Sequence, residues 1–364
     1  MCRCQVFVVN RKTFPYHLKY LFAGTTAGKG RDDKYKDRHV GLLADISRVR
    51  KGDKIVFYLE EVGFFGIFEA DSEYPSYEPP EKGFLQQELG VPLIYRVRVR
   101  PAEVFAKPVS EWEAIEKLPE KSREIRWSLL YRKLKGKRGC SYLFPNEAES
   151  LLNLIRDQNS HSPIIADQGE CYTFDESSMT ISIIKGANEY KSSNISPKDH
   201  IRLGASESDL QAWICWHLQR HPVLEPIAPS RSLQWFANEV YAGVGTQKMD
   251  ILCILNIGDC REFRVLELKN KKPNTKELVA QTQRYVRWLD SYQREPSDKV
   301  KVFWISRDFD KDAEKGAEKL IEEEKIKGLT AVELLTWKPT EDNITLTRYR
   351  DLSAIDQLPM VYMV

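Results

Sequence analysis

Two textures divide the chain. Over the first 158 residues, short runs of β-branched and aromatic side chains alternate with turn residues, a pattern that predicts strands. They are CQVFVVN from Cys4 to Asn10, KIVFYL from Lys54 to Leu59, Gly66 to Ala70, and Leu93 to Arg100. In the last of these, YRVRVR alternates apolar with basic side chains, and a period of two puts Arg96, Arg98 and Arg100 on one face. A helix is expected from Asn146 to Asp157, with Glu147 and Glu149 in its first turn and Leu151, Leu152, Leu154 and Ile155 as its apolar stripe. Mostly strand with flanking helices, this half predicts a small β-barrel.

Residues 159–205 are rich in Ser, Asn, Asp and Gly and hold one hairpin candidate, CYTFDESSMTISII, so a connector or small module is expected there. From Ser206 the pattern becomes α/β. Ser206 caps an amphipathic helix carrying Glu207, Leu210, Ile214 and Leu218. Strands Met249–Asn256 and Arg261–Lys269 follow, joined by a short turn with Gly258-Asp259 at its centre. Next come a helix over Lys276–Tyr292, a strand over Val300–Ser306, a helix over Asp310–Glu324 and a strand over Thr330–Trp337. The expected organisation is 1–158, 159–205, 206–340 with a mixed sheet flanked by helices, and a C-terminal extension over 341–364.

Composition narrows the class. At 364 residues, 42% hydrophobic and 30% charged, the chain has the balance of a globular protein of about two domains. No stretch approaches the roughly 18 consecutive apolar residues of a spanning helix, so no membrane segment or secretory leader is expected. Seven scattered cysteines do not make a disulfide framework and fit a reducing cytoplasm. The net charge of +2 is unevenly placed: 28 Lys and Arg face 22 Asp and Glu up to residue 158, against 27 and 31 beyond it. The first half is therefore the candidate for a polyanion, with Arg96, Arg98 and Arg138 as candidate phosphate contacts.

The chemistry points to the second half. Asp250 opens one strand of the expected hairpin and Glu267-Leu268-Lys269 closes the other, so the two ends are adjacent. Glu267 and Lys269, two apart, aim to one side of the sheet beside Asp250. Such an acid pair can hold Mg²⁺ or Mn²⁺ through oxygen ligands, with the Leu268 carbonyl as a further donor. Lys269 could then orient or deprotonate a water near a scissile phosphate and neutralise charge in the transition state. The bland alternative is a surface hairpin with exposed ion pairs worth about 0–1 kcal/mol each. Its weakness is position, since charge at the end of a central strand is costly unless used. His217 and His221 read as core or surface histidines, and Cys2-Arg-Cys4 lacks the partners of a zinc site.

These residues resemble a family. Asp250 with Glu267-Leu268-Lys269 is similar to the D…ExK core of the PD-(D/E)XK nucleases, and Gln281-Thr-Gln-Arg-Tyr285 resembles the QxxRY-type element of their NucS/EndoMS-like branch. The resemblance spans roughly 206–337, with Met249 standing where the family name has proline. It implies a restriction-endonuclease-like core, Asp250, Glu267 and Glu207 at a metal, Lys269 catalytic, and Gln281 and Tyr285 supporting the site. Glu239 and Asp209 compete with Glu207 as auxiliary acid. The first half, through CQVFVVN ending at Asn10, the run from Val40 through Lys51-Gly52-Asp53 to Phe57-Tyr58, Gly66-Ile67 and Arg138-Gly-Cys-Ser141, resembles an EVE domain of the PUA and YTH-like superfamily. That implies a PUA-like curved barrel capturing a base, often a modified one drawn from its strand. The available rings are Tyr58, Phe64, Phe65, Trp112 and Trp127; Trp127 and Tyr58 are the first candidates, with Asn10 as an edge donor.

Together the halves predict a modification-dependent DNA endonuclease, dimeric if it cuts both strands. A repair nuclease acting on mismatched, branched or single-stranded DNA, and a non-catalytic binder of modified RNA or DNA, are the alternatives.

Overall fold

A computed structural model describes residues 2–29, 36, 38–81, 83–117, 134, 139–186, 190–191, 193–243, 247–341 and 343–349. The chain forms two units, Met1–His200 and Ile201–Val364. Among the described residues no helix is long and apolar enough to cross a membrane.

The first unit runs β1 (Cys4–Val9), α1 (Phe14–Tyr20), β2 (Phe22–Thr26), α2 (Val40–Ser47), β3 (Lys54–Leu59), β4 (Gly63–Ala70), β5 (Ser76–Tyr77), α3 (Gln86–Leu89), β6 (Leu93–Pro101), α4 (Glu111–Glu116), β7 (Cys140–Tyr142), α5 (Pro145–Gln158), β8 (Glu170–Asp175) and β9 (Thr180–Lys185). Its curled sheet is ordered β2-β6-β4-β3-β1-β7, with β5 on β6. β1 and β3 pair in parallel and bury both faces, which is why CQVFVV and KIVFYL read as near-continuous apolar runs. Leu151, Leu152 and Ile155 of α5 close the core over Val6, Val56 and Ile67. The β8–β9 hairpin, in the segment read as a connector, packs Phe174 against Phe14 and Phe65 and so builds part of this unit.

The second unit runs α6 (Glu207–His217), β10 (Leu233–Tyr241), β11 (Lys248–Ile257), β12 (Cys260–Leu268), α7 (Thr275–Tyr292), β13 (Lys299–Ser306), α8 (Ala313–Glu324), β14 (Leu329–Pro339) and β15 (Ile344–Arg348). Its sheet follows chain order from β10 to β15. β10–β11–β12 is an antiparallel meander, β12–β13–β14 is parallel, and β15 returns antiparallel, giving the mixed sheet flanked by helices that the sequence predicts. The β11–β12 turn is Gly258-Asp259, where Gly258 takes the left-handed φ of +59°. Ile251, Cys253, Leu266, Leu268, Phe303 and Ile305 bury one face against Leu210, Trp213 and Ile214 of α6. The opposite face meets α7, where Trp304 Nε1 donates to Thr282 Oγ1 at 2.9 Å. Residues 344–348, expected within a C-terminal extension, form the last strand of this sheet.

Candidate active site

The alternation along β11 and β12 decides where the charges go. Ile251 pairs with Leu266, so Asp250 and Glu267 stand opposite each other one step beyond, on the α7 side of the sheet. β12 is interior to the sheet, and its end is held on both flanks. Leu268 N donates to Asp250 Oδ2 at 2.7 Å, and Lys269 N donates to Ile305 O at 2.8 Å. Lys269 Nζ then lies 2.5 Å from Glu267 Oε1, 2.9 Å from the Leu268 carbonyl, 3.9 Å from Glu207 Oε1 and 4.0 Å from Asp250 Oδ2. Three carboxylates surround one ammonium.

Burial is graded across this cluster. The Glu267 side chain is 1% exposed and Asp250 16%, whereas Lys269 is 26% and Glu207 42% exposed, so the site opens past the lysine. Burial first, and repulsion from Glu267 second, push the Asp250 carboxyl well above the usual carboxylate range. Burial raises Glu267 to about 7, with Lys269 pulling the other way. For Lys269, burial alone would lower the ammonium's pKa, but Glu267, Asp250 and Glu207 outweigh it and the net direction is upward. A lysine so held stays charged at neutral pH.

The flanking residues divide into supports and onlookers. Gln281 Nε2 donates to Tyr285 OH at 2.6 Å, and Tyr285 OH donates to Lys248 O at 2.5 Å, so α7 pins the start of β11 beside Asp250. Gln211, one helical turn after Glu207 on α6, donates through Nε2 to Asp250 O at 3.0 Å and to Glu239 Oε1 at 3.3 Å. Sequence reasoning passed over Gln211, though its i,i+4 spacing from Glu207 was visible. Glu239 is paired with Lys248 Nζ at 2.9 Å. Asp209 takes the Ser206 hydroxyl at 2.6 Å and Arg202 N at 2.9 Å, which makes it part of the helix cap. Of the three candidate auxiliary acids, Glu207 is thus the one that reaches Lys269. His217 packs against Trp213, tilted by 35° with ring centroids 4.3 Å apart, and is a buried residue.

The donor set fits a hard divalent cation in part. Asp250 near the start of β11 and Glu267 with the Leu268 carbonyl at the end of β12 are oxygen donors on neighbouring strands; Glu267 Oε2 is buried without a hydrogen-bond partner, whereas the Leu268 carbonyl accepts from Lys269 Nζ at 2.9 Å. Among the described residues no three His, Cys, Asp or Glu side chains converge as a ready-made cage.

The first unit carries a cleft of about 1160 Å³ lined by residues that include Asn10, Lys12, His17, Thr26, Tyr58 and Trp112. Tyr58 is buried against Phe64 (5.1 Å between ring centroids) and forms floor rather than an open platform. Asn10 is exposed, and its Oδ1 accepts from Thr13 N at 2.9 Å, so its amide NH₂ is the group left to donate. Trp112, 72% exposed on α4, is the ring at the mouth. Its presence was plain in the sequence, but its exposure was not. Trp127 and Arg138 lie outside the described residues.

Arg96 corrects an expectation. It is fully buried, with Nε on Leu93 O at 2.9 Å, Nη2 on Phe84 O at 2.6 Å and its guanidinium 5.0 Å from the Phe22 ring. It is held away from any phosphate, because the Phe22 ring and the 84–93 segment enclose the guanidinium and the Leu93 and Phe84 carbonyls take its hydrogens. Arg98 does face solvent, 3.6 Å from Asp71.

No family model and no curated protein matches the sequence. Among solved structures, a repair endonuclease from Pyrococcus abyssi is similar at 15% identity and a TM-score of 0.25, over 55% of this chain and 69% of that one. The restriction endonuclease FokI is similar at 10% identity and a TM-score of 0.24, over 62% of this chain and 40% of that one. Likeness of this extent carries no functional weight, and the site rests on its own geometry.

Proposed function

We infer that the chain is a divalent-metal-dependent DNA endonuclease whose first unit captures a modified base and whose second unit cuts the strand. The observation that carries the reading is the placement of Lys269 Nζ among Glu267, Asp250 and Glu207 at the end of an interior strand. Charges gathered at such a place are costly to keep, and an acid pair with a lysine suits phosphodiester hydrolysis.

In this reading Asp250, Glu267 and the Leu268 carbonyl hold Mg²⁺ or Mn²⁺, and Glu207 is the auxiliary acid. The bound ion would supply Lewis acidity toward a phosphate oxygen and lower the pKa of water. Lys269 remains an ammonium and stabilises the negative charge that builds on the phosphate as the water oxygen bonds to phosphorus and one P–O ester bond breaks, the water's proton passing to solvent and the leaving oxygen taking one up from it. Gln281 and Tyr285 position the strand that carries Asp250. Cutting both strands needs two such sites, so a homodimer is expected. In the first unit the cleft takes the base, with Trp112 at its mouth as a stacking surface and Asn10 as an edge donor. Arg98 contacts the backbone.

The test is digestion of a panel of DNAs, unmodified or carrying methylated, hydroxymethylated or glucosylated bases, with Mg²⁺ or Mn²⁺. Cleavage confined to modified substrates is expected. Equal cleavage of unmodified, mismatched or branched DNA would instead favour a repair nuclease, and no cleavage of any substrate would leave only a binder.

A further inference from the structure

His17 is a buried polar group that the nuclease chemistry does not use. It sits on α1, 1% exposed, its ring packed against Phe22 at 4.6 Å and Phe57 at 5.4 Å, and it lines the cleft of the first unit. Its Nδ1 lies 2.9 Å from the Phe22 carbonyl. A carbonyl only accepts, so Nδ1 carries the hydrogen and Nε2 is left with a lone pair. Among the described residues the hydrogen bond of this ring is made through Nδ1, not Nε2. With Nδ1 spent on the Phe22 carbonyl, the edge that His17 has left for the cleft it lines is the Nε2 acceptor edge. Burial holds the imidazole at about 3, opposed by the Phe22 bond and aided by the Arg96 charge, so it stays neutral and cannot become a donor there.

Depth gives this acceptor its meaning. Asn10 and Trp112 are exposed and mark the mouth, whereas His17, Tyr58 and Leu93 are buried and mark the floor. A base entering with its sugar outside presents to the floor the substituent farthest from the glycosidic bond. That is position 4 of a pyrimidine or position 6 of a purine. Cytosine and adenine carry an amino donor there, and thymine, uracil and guanine carry an oxygen acceptor.

We propose that His17 is the specificity-determining residue of the cleft, its Nε2 accepting from the exocyclic amino group of a cytosine- or adenine-derived base and rejecting oxo bases by lone-pair repulsion. This rests on the base-capturing reading above. The rejection follows from the same physics as the acceptance, because an oxo base would leave two acceptors facing each other.

Fluorescence anisotropy of the full chain in EDTA, so that no strand is cut, tests the proposal. The probes are single-stranded oligothymidylates with one central residue: 5-methylcytosine, cytosine, N6-methyladenine, adenine, guanine, or the des-amino analogues 2-pyrimidinone and purine. At least one amino base should bind about tenfold or more above its des-amino analogue and above guanine. His17→Asn, whose amide can still serve the Phe22 carbonyl from the Nδ1 position, should erase that preference. His17→Gln, which places an amide oxygen near the Nε2 position, should restore part of it. Thermal melting of both variants confirms that they fold. A preference for amino bases that survives in folded His17→Asn overturns the assignment of His17 while leaving base capture intact. A preference for guanine overturns the assigned polarity. No preference among any probes in the native chain overturns base capture itself.

Discussion

Leu268 N and Asp250 Oδ2 meet at 2.7 Å across the last step of the β11–β12 ladder. This bond fixes one carboxylate oxygen by a main-chain donor and aims the group at Lys269. Asp250→Asn keeps an oxygen to accept that bond and removes only the charge. It should fold as the native chain does and lose cleavage by about 10²-fold or more, with DNA binding in EDTA unchanged. Lys269→Ala should do the same. Native-level cleavage in both variants would end the assignment.

The raised carboxylates give a pH signature. Glu267 rises from its ordinary 4.5 to about 7 because burial disfavours its charged form. Between those values the folded chain binds a proton that the unfolded chain has released, so stability is greatest at the acid end and declines as pH rises from about 4.5 to about 7. Glu267→Gln should flatten that decline in a series of chemical denaturations. Metal affinity should move oppositely, rising through about pH 7 as the competing proton leaves, which calorimetric titration with Mn²⁺ would measure.

How far the sequence was legible follows from these particular residues. The β11–β12 hairpin and the Asp250–Glu267–Lys269 convergence were readable because strand period and a two-residue turn together set the register. β10 was not: LQWFANEVY breaks alternation with a register shift between Leu233 and Trp235 and a left-handed Glu239. Arg96 misled for a different reason. Its alternation with Val97 and Arg98 is real, yet the Phe22 ring and the 84–93 segment lie over Arg96, so a position that reads as solvent-exposed in the sequence is covered. The Lys269 bonds and the depth of His17 depend on non-local packing that no local pattern encodes.

Tyr285 should act through position. Its hydroxyl bonds Lys248 O at 2.5 Å and receives Gln281 Nε2. Tyr285→Phe leaves that carbonyl without its donor, a loss of about 1–3 kcal/mol. Since Lys248 lies two residues before Asp250, kcat should fall while KM for DNA holds. An unchanged kcat in a destabilised variant would reduce Tyr285 to a purely structural role.

The two cleft aromatics should separate cleanly. Trp112 is exposed, so Trp112→Ala should leave the melting temperature within the reach of about 0.5 kcal/mol and weaken capture of a modified base by about 1–3 kcal/mol. Tyr58 is buried floor, so Tyr58→Ala should cost about 3–5 kcal/mol of stability. Unaltered binding by folded Trp112→Ala would remove stacking at the mouth from the account.

Arg96 and Arg98 stand two residues apart on one strand and should fail in opposite ways. Arg98 lies in solvent beside Asp71, and if it meets a phosphate, Arg98→Ala should lower the slope of log K against log salt by about 1, with little change in melting. Arg96 ties the Leu93 and Phe84 carbonyls together under the Phe22 ring, so Arg96→Ala strands a buried and a half-buried acceptor and opens a cavity. It should lower the melting temperature and leave the salt slope of the remaining folded protein where it was. A reduced slope in folded Arg96→Ala would mean that the guanidinium reaches the nucleic acid after all. Because burial and charge make opposite demands on these two arginines, the pair of measurements separates a phosphate contact from a structural cation within a single strand.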